Sequence, residues 1–176
     1  VIDWPYNTLL DMTNVNLVGA NLTNARLNPE DLTGVRSGGI IGTPLRLPAG
    51  WHRFAGYLLG PGADLSGEDL SAVDLSSANL TGVRSGGITE PPSALPEDWQ
   101  LIGGYLIRPG ADLTNADLTN LDLTNINLTG VRSGGITEPP SALPAAWHLI
   151  GGYLIGPGAD LTNADTTELD LTDANL

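Results

Sequence analysis

The sequence predicts an all-β solenoid, and two nested periods within its 176 residues support that prediction. The nine-residue segment LTGVRSGGI begins at Leu32, Leu80 and Leu128, so the chain contains about three copies of a 48-residue unit. Inside each unit Leu recurs every fifth residue, as it does at Leu113, Leu118, Leu123 and Leu128. Self-similarity at a fixed period of this length is typical of solenoids and other repeat architectures.

The five-residue period fits neither a helix, which repeats roughly every 3.6 positions, nor a flat strand, which repeats at every second position. It predicts a very short extended stretch followed by a tight turn, which the Asn or Gly after each Leu-Thr pair favours. Four such stretches close a square 20-residue coil, and stacked coils lie about 4.8 Å apart. We expect the small residue and Leu of each repeat to point inward, and Asp or Asn and Thr to point outward.

The run ADLTNADLTNLDLTNINLTG, from Ala111 to Gly130, resembles the pentapeptide-repeat family, and the resemblance extends over residues 10 to 176. It implies a right-handed quadrilateral β-helix. We expect a single domain of residues 1–176 with about seven coils, in which 20-residue coils alternate with 28-residue coils, and each copy of the 48-residue unit carries one Pro-rich loop insertion. Residues 1–9 are expected to form a degenerate half coil.

The 28-residue spacers are interpreted as coils with a loop. Residues 101–105 and 106–110 are each expected to fill one five-residue side. The loop TEPPSALP is expected to project from one face or fold over it, because Pro is excluded from central strands. Glu30, Glu68 and Arg53 fall at inward positions, which suggests either an internal ion cluster or a slip of register near Arg53.

Charged residues alternate at one outward position of successive coils. Opposite charges directly across paired strands stabilise a sheet by roughly 0.2–1 kcal/mol per pair, so we interpret the column as a structural charge ladder. The simpler alternative is a row of solvated charges of little energetic value. The ladder residues are Arg36, Asp64, Arg84, Asp112, Arg132 and Asp160.

A second column is apolar and is expected to lie at outward positions of the long coils. Exposed apolar surface usually marks a partner, so this column is a candidate lateral interface. The alternative is that the loop, or its Trp, folds back over the column. The residues concerned are Phe54, Leu59, Trp99, Ile102, Ile107, Ile150 and Ile155.

The two ends of the sequence are in phase for stacking head to tail. The segment DWPYNTLLDMTN resembles the back half of a long coil, and Leu176 ends a short one. Unpaired strand edges template further pairing unless they are blocked, so we expect a homo-oligomer built through the ends; the rival explanation is a longer array. The candidate end-to-end interface comprises Trp4, Tyr6, Leu10, Met12, Leu161, Leu171 and Leu176.

Catalytic and metal-binding constellations are not expected. His52 and His148 follow a Trp, but Gln100 takes that place in the middle copy, and no His is placed to activate the recurrent Ser37, Ser85 and Ser133. Gly60-Pro61-Gly62-Ala63-Asp64 is only half of a calcium-binding nonapeptide. The Asn-Leu-Thr triplets match the glycosylation acceptor pattern, but they are a by-product of the repeat unit and are given no weight as sites. We therefore predict no enzyme activity, no catalytic residue, no metal and no cofactor.

The charge balance restricts the partners. Seven Arg and no Lys face twenty acidic residues, a net charge of −13, which argues against direct binding of nucleic acid. No apolar run is long enough to span a membrane as a helix, and there is no Cys. We expect a non-enzymatic bacterial structural protein, outside the cell or on its surface, that assembles into a rod or filament or serves as a rigid scaffold for a protein partner.

The resemblance implies an alternative function. Some pentapeptide-repeat proteins are acidic rods that mimic DNA and bind DNA gyrase, which would make this chain cytoplasmic. Those relatives dimerise through a C-terminal helix, for which the sequence shows no equivalent.

Overall fold

The computed structural model describes residues 11–27, 32–172 and 174, and these contain short strands and bridges but no helix, consistent with the all-β prediction. The chain divides into two compact units, Val1–Arg84 with Ile88–Glu97 and Ser85–Gly87 with Asp98–Leu176. Three antiparallel hairpins contain the strands: β1 (His52–Phe54) pairs with β2 (Tyr57–Leu59), β3 (Gln100–Ile102) with β4 (Tyr105–Ile107), and β5 (His148–Ile150) with β6 (Tyr153–Ile155).

Outside the hairpins the described chain pairs with itself in parallel at separations of 20 and 28 residues, which we call the 20-residue step and the 28-residue step, apart from Asp69 with Glu90, whose separation is one residue longer than the shorter step. In the first unit Arg36 pairs backwards with Asn16 by the shorter step and forwards with Asp64 by the longer one. In the second unit Arg132 pairs with Asp112 and Asp160 by the same two steps. A parallel pair requires the chain to cross over and return. Between the two residues that a step pairs, the chain therefore makes one return within its unit.

The leucines of the five-residue period form the core of both units. Those of the second and third copies each expose at most 1% of their surface, and full burial of such a side chain stabilises the fold by about 1.5–3 kcal/mol. Asp or Asn precedes the Leu and accepts a hydrogen bond from the amide two residues on, as Asp112 does from Thr114 at 2.9 Å. These core leucines are Leu65, Leu70, Leu75, Leu80, Leu113, Leu118, Leu123 and Leu128.

The hairpins correct the predicted register of the spacers. Residues 101–110 do not form two coil sides, because the chain turns back at Gly103 and Gly104, whose φ angles are +56° and +83°. Two successive positive φ angles define the hairpin turn that matches the twist of two strands, and two glycines adopt it at little steric cost. The double Gly between apolar triplets was a readable signal for this hairpin.

A serine anchors each hairpin. Ser37 is 1% exposed, and its Oγ donates a hydrogen bond to the Leu58 carbonyl at 3.1 Å and accepts one from the Leu58 amide at 2.8 Å. Ser85 and Ser133 accept the amides of Leu106 and Leu154, each at 2.9 Å. The Leu that is hydrogen-bonded by each Ser is completely buried. Because the Ser side chain is small, it leaves space in the interior, and the Leu of the hairpin fills that space.

The Pro-rich loops contribute two residues each to the pairing, which the sequence analysis did not predict. The Ser93 amide donates to the Val73 carbonyl at 2.9 Å, and the Leu75 amide donates to the Ala94 carbonyl at 2.9 Å. Ser141 and Ala142 pair in the same way in the second unit. The prolines flank these two residues, so the missing Pro amides fall outside the paired positions.

Candidate functional site

The ladder residues occupy a continuous line of parallel pairs within each unit. Arg36, Asp64 and Arg84 pair in succession in the first unit, and Asp112, Arg132 and Asp160 do so in the second. Among the residues that the structure describes, the 28-residue step occurs only on this line, and every bridge elsewhere makes the 20-residue step or exceeds it by one position. Residues paired by the 20-residue step and by the 28-residue step therefore lie on the same line.

The ion pairs of the ladder form at the 28-residue steps. Arg132 Nη2 lies 3.1 Å from Asp160 Oδ2, and Arg36 Nε lies 3.9 Å from Asp64 Oδ2. Arg84 makes no ion pair with a carboxylate in the described ranges. The Arg132 side chain is 51% exposed, and pairs as open as this one contribute about 0–1 kcal/mol.

Glu68 and its neighbour Asp69 join the ladder to a hairpin. Its Oε1 lies 3.6 Å from Arg36 Nη2, and the Tyr57 hydroxyl donates to the Asp69 carbonyl at 2.9 Å. Burial, with the charges of Glu68 and Asp69, raises the pKa of Tyr57. Arg53 is exposed and donates to the Ile40 carbonyl at 2.9 Å. Glu68 and Arg53 thus do not form the suggested internal cluster; Glu30 lies outside the described residues.

The predicted lateral interface is largely buried, which is a correction. Leu59, Ile107 and Ile155 expose none of their surface, and Trp99 exposes 6%. The reason is the hairpin, because adjacent residues such as Leu58 and Leu59 both pack inside. Phe54, Ile102 and Ile150 are half-buried. The apolar column therefore belongs to the core of each unit and offers little free surface.

Only part of the candidate end-to-end interface is described. Trp4, Tyr6, Leu10 and Leu176 lie outside the described residues, and Met12 is 8% exposed. Leu161 and Leu171 are half-buried, whereas the equivalent Leu113 and Leu123 expose at most 1%. The described residues thus leave these two repeat leucines incompletely covered.

The candidates for chemistry have structural roles or stand alone. His52 and His148 are exposed on β1 and β5, and the recurrent serines are occupied by the hairpins. Within the described ranges no three His, Cys, Asp or Glu side chains converge where a metal ion could bind. The same residues include no helix with the length and apolar composition to cross a membrane.

Tyrosines of the hairpins make contacts that the sequence analysis missed. The hydroxyls of Tyr105 and Tyr153 accept hydrogen bonds from the amides of Asp117 and Asp165, at 2.8 and 3.3 Å. Each tyrosine thereby ties its hairpin to a pentapeptide repeat further along the chain. The regular recurrence of Tyr57, Tyr105 and Tyr153, once in each 48-residue copy, was the available signal.

Outward carboxylates are held ionised by the turn that they cap. In Asp117, Asp122, Asp165 and Asp170, hydrogen bonds from the hydroxyl and the amide of the Thr two residues on lower the pKa of the carboxyl. All four are exposed, and none forms an ion pair with a described cation. The second unit therefore presents unneutralised negative charge.

Comparison with known proteins identifies the repeat. A family model for pentapeptide repeats matches the chain in eight copies, within residues 62–84 and 109–132. No curated protein and no solved structure matches the chain. Residues 62–84 and 109–132 are therefore pentapeptide repeats, which confirms the family predicted from the sequence.

Proposed function

We propose that this chain is a non-enzymatic structural protein, a right-handed quadrilateral β-helix that assembles end to end. The family itself suggests a non-enzymatic repeat protein. The observation that carries the architecture is the parallel pairing by the 20-residue and 28-residue steps inside each unit, because the shorter step is the length of a coil of four five-residue sides that returns to its own start. The hairpin accounts for the additional length of a 28-residue coil.

End-to-end association is supported by the amides and leucines of the last described repeats. In the second unit the Leu113 and Leu123 amides donate to the Arg132 and Ala142 carbonyls at 2.8 and 3.0 Å. The Leu171 amide occupies the same repeat position as these donors, on a leucine that is only half-buried. A further coil, from a second copy or from a longer array, would accept this bond and cover the leucine.

The test compares two substitutions at one residue. Leu171→Ala and Leu171→Pro both remove the side chain, but only Pro removes the amide donor. We expect the unmodified chain to form concentration-dependent oligomers in sedimentation velocity, and Leu171→Pro to dissociate them further than Leu171→Ala. A chain that stays monomeric at high concentration would contradict end-to-end assembly and would leave a scaffold for another protein as the function.

The exposed carboxylates favour a second function, the acidic DNA mimic. A net charge of −13 and the unpaired Asp117, Asp122, Asp165 and Asp170 support binding to a DNA-recognising protein such as gyrase, although the Arg ladder reduces the charge of one line. We expect a mimic to inhibit gyrase supercoiling, and Asp→Asn changes at these four positions to abolish the inhibition. An unchanged supercoiling rate at excess protein would exclude the mimic.

The two functions differ in location. The composition, without Cys or Lys, supports a place outside the bacterial cell or on its surface for the structural function, whereas a gyrase ligand must be cytoplasmic. Fractionation of the source cells separates these alternatives.

A further inference from the structure

Six of the outward or half-exposed positions at which the first 48-residue copy differs from the later copies share one kind of change. At these positions the first copy carries a large apolar residue or Arg. The later copies carry a small polar residue, an Ala, an Asp or a Leu. For example, Arg26 stands where Asp74, Asp122 and Asp170 stand, and Leu45 stands where Ser93 and Ser141 stand. The six residues, which we call the first-copy surface, are Val18, Arg26, Ile41, Leu45, Arg46 and Arg53.

This surface is exposed and apolar in a way that the later copies are not. Val18, Ile41 and Leu45 expose 56%, 58% and 60% of their area, and they are the exposed large hydrophobic residues of the described chain. The Leu45 amide donates to the Ala25 carbonyl at 2.7 Å, and Ile41 pairs with Asn21, so the backbone at Leu45 and Ile41 is fixed by pairing. Three exposed apolar residues in one copy, at positions where the later copies are polar, mark this part of the first unit as a candidate interaction site.

The arginines of the first-copy surface are arranged in a way that lowers the stability of the fold. Arg26 and Arg46 are directly paired across parallel strands, a strand spacing of about 4.8 Å, where like charges destabilise a sheet. Both are exposed, and neither forms an ion pair with a carboxylate that the structure describes. Arg53 adds a third guanidinium beside Ile41, because it donates to the Ile40 carbonyl. The two stacked cations form no ion pair with any carboxylate of the described residues, which points to an anionic partner.

We propose that the first-copy surface binds the acidic repeats of a second copy of this chain, around Asp117, Asp122, Asp165 and Asp170. The charges are complementary, since those four carboxylates are exposed and lack an ion pair in the described residues. The net charge of −13 opposes contact with a second copy as well as with nucleic acid, so the attraction has to come from local pairing of Arg and Asp, since the repulsion of distant charges is screened beyond roughly 8 Å at physiological salt. Side-on contact between different surfaces of two copies is heterologous and continues from copy to copy. It goes beyond the end-to-end contact, since it uses other residues and does not require it.

The later copies supply a variant that should fold. The double change Arg26→Asp with Arg46→Ala installs the pair that Asp74 and Ala94 already form at the same repeat positions. We expect its melting temperature to equal or exceed that of the unmodified chain, and its association in sedimentation velocity at physiological ionic strength to weaken at least 10-fold. The control Arg108→Gly changes one Arg elsewhere to the residue at Gly60 and Gly156 and should leave association unchanged.

Charge exchange tests the assigned partner. Asp122→Arg with Asp170→Arg should weaken self-association as well, and mixing this variant with one carrying Arg26→Asp and Arg46→Asp should restore it. Unchanged association of the Arg26→Asp, Arg46→Ala variant, a monomeric unmodified chain, or failure of the mixture to associate would each overturn the proposal. Leu171→Pro reports separately on the ends: if it alone abolishes association, the end-to-end contact stands and the side-on contact is refuted.

Discussion

The hydroxyl of Ser37 is the sharpest point at which the hairpin anchoring can be tested. Ser37 holds both the amide and the carbonyl of the buried Leu58, whereas Ser133 holds only the amide of Leu154. A buried polar group left without a partner costs about 1–3 kcal/mol. Ser37→Ala should therefore lower the free energy of unfolding by roughly 2–6 kcal/mol, and Ser133→Ala by roughly half as much.

The assay is urea unfolding followed by circular dichroism at neutral pH, with Ser77→Ala as the control because Ser77 is exposed. An unchanged slope with denaturant would show that each variant unfolds from the same native state. A loss for Ser37→Ala within about 0.5 kcal/mol of the control, the usual range of surface substitutions, would refute the anchoring role. Equal losses at Ser37 and Ser133 would refute the count of two bonds against one.

Three further predictions concern the repeat, the ladder and pH. Leu123→Ala should cost about 2–5 kcal/mol by leaving a cavity, and comparable losses for Leu123→Ala and the outward Asp122→Ala in thermal unfolding would mean that the inward positions are misassigned. Arg132→Glu should lower the melting temperature more than Arg132→Ala, because it faces Asp160 and Asp112 with a third carboxylate, and the difference should shrink at high salt; equal melting temperatures would remove the ladder. Folding lowers the pKa of Asp117, Asp122 and similar carboxyls. Their stabilisation is therefore complete above the unfolded pKa near 4 and is lost as the pH falls through the lower folded pKa. If the melting temperature stayed constant while the pH was lowered from about 4, this linkage would be contradicted.

The five-residue pattern was sufficient to predict the core but not the spacers. Leu65 and Leu113 are buried where the period requires them, because each repeat makes the same local turn and the same inward step. The hairpin at Gly103-Gly104 was missed because the period of five was extended into a segment whose own pattern, apolar residues on both sides of two glycines, indicates antiparallel pairing. Burial of Ile107 then follows from the hairpin and could not follow from the assumed coil.

The placement of the charged residues could be predicted in part from the sequence as well. The alternation of Arg36, Asp64 and Arg84 is visible in the sequence, and these residues pair in that order. Which steps carry ion pairs was not readable, because this depends on how each guanidinium leans: Arg36 and Arg132 reach toward the Asp that follows at the 28-residue step. The stacking of Arg26 on Arg46 required the structure, since the first copy breaks the rule that the later copies follow.

The eight-residue hairpins also set an order of events when the chain folds. β3 and β4 join residues that are near neighbours in the chain, the furthest pair being Gln100 with Ile107, whereas every parallel bridge must make at least the 20-residue step. The entropy of loop closure grows with the logarithm of loop length, so closing the 28-residue step costs about 1 kcal/mol more than closing the hairpin, and isolated hairpins form within about 1–10 μs. Each 48-residue copy thus contains one element that can form early from local contacts. We expect the return of the chain onto it to be the slower step, so a variant that loosens the Gly103-Gly104 turn should delay folding more than it accelerates unfolding.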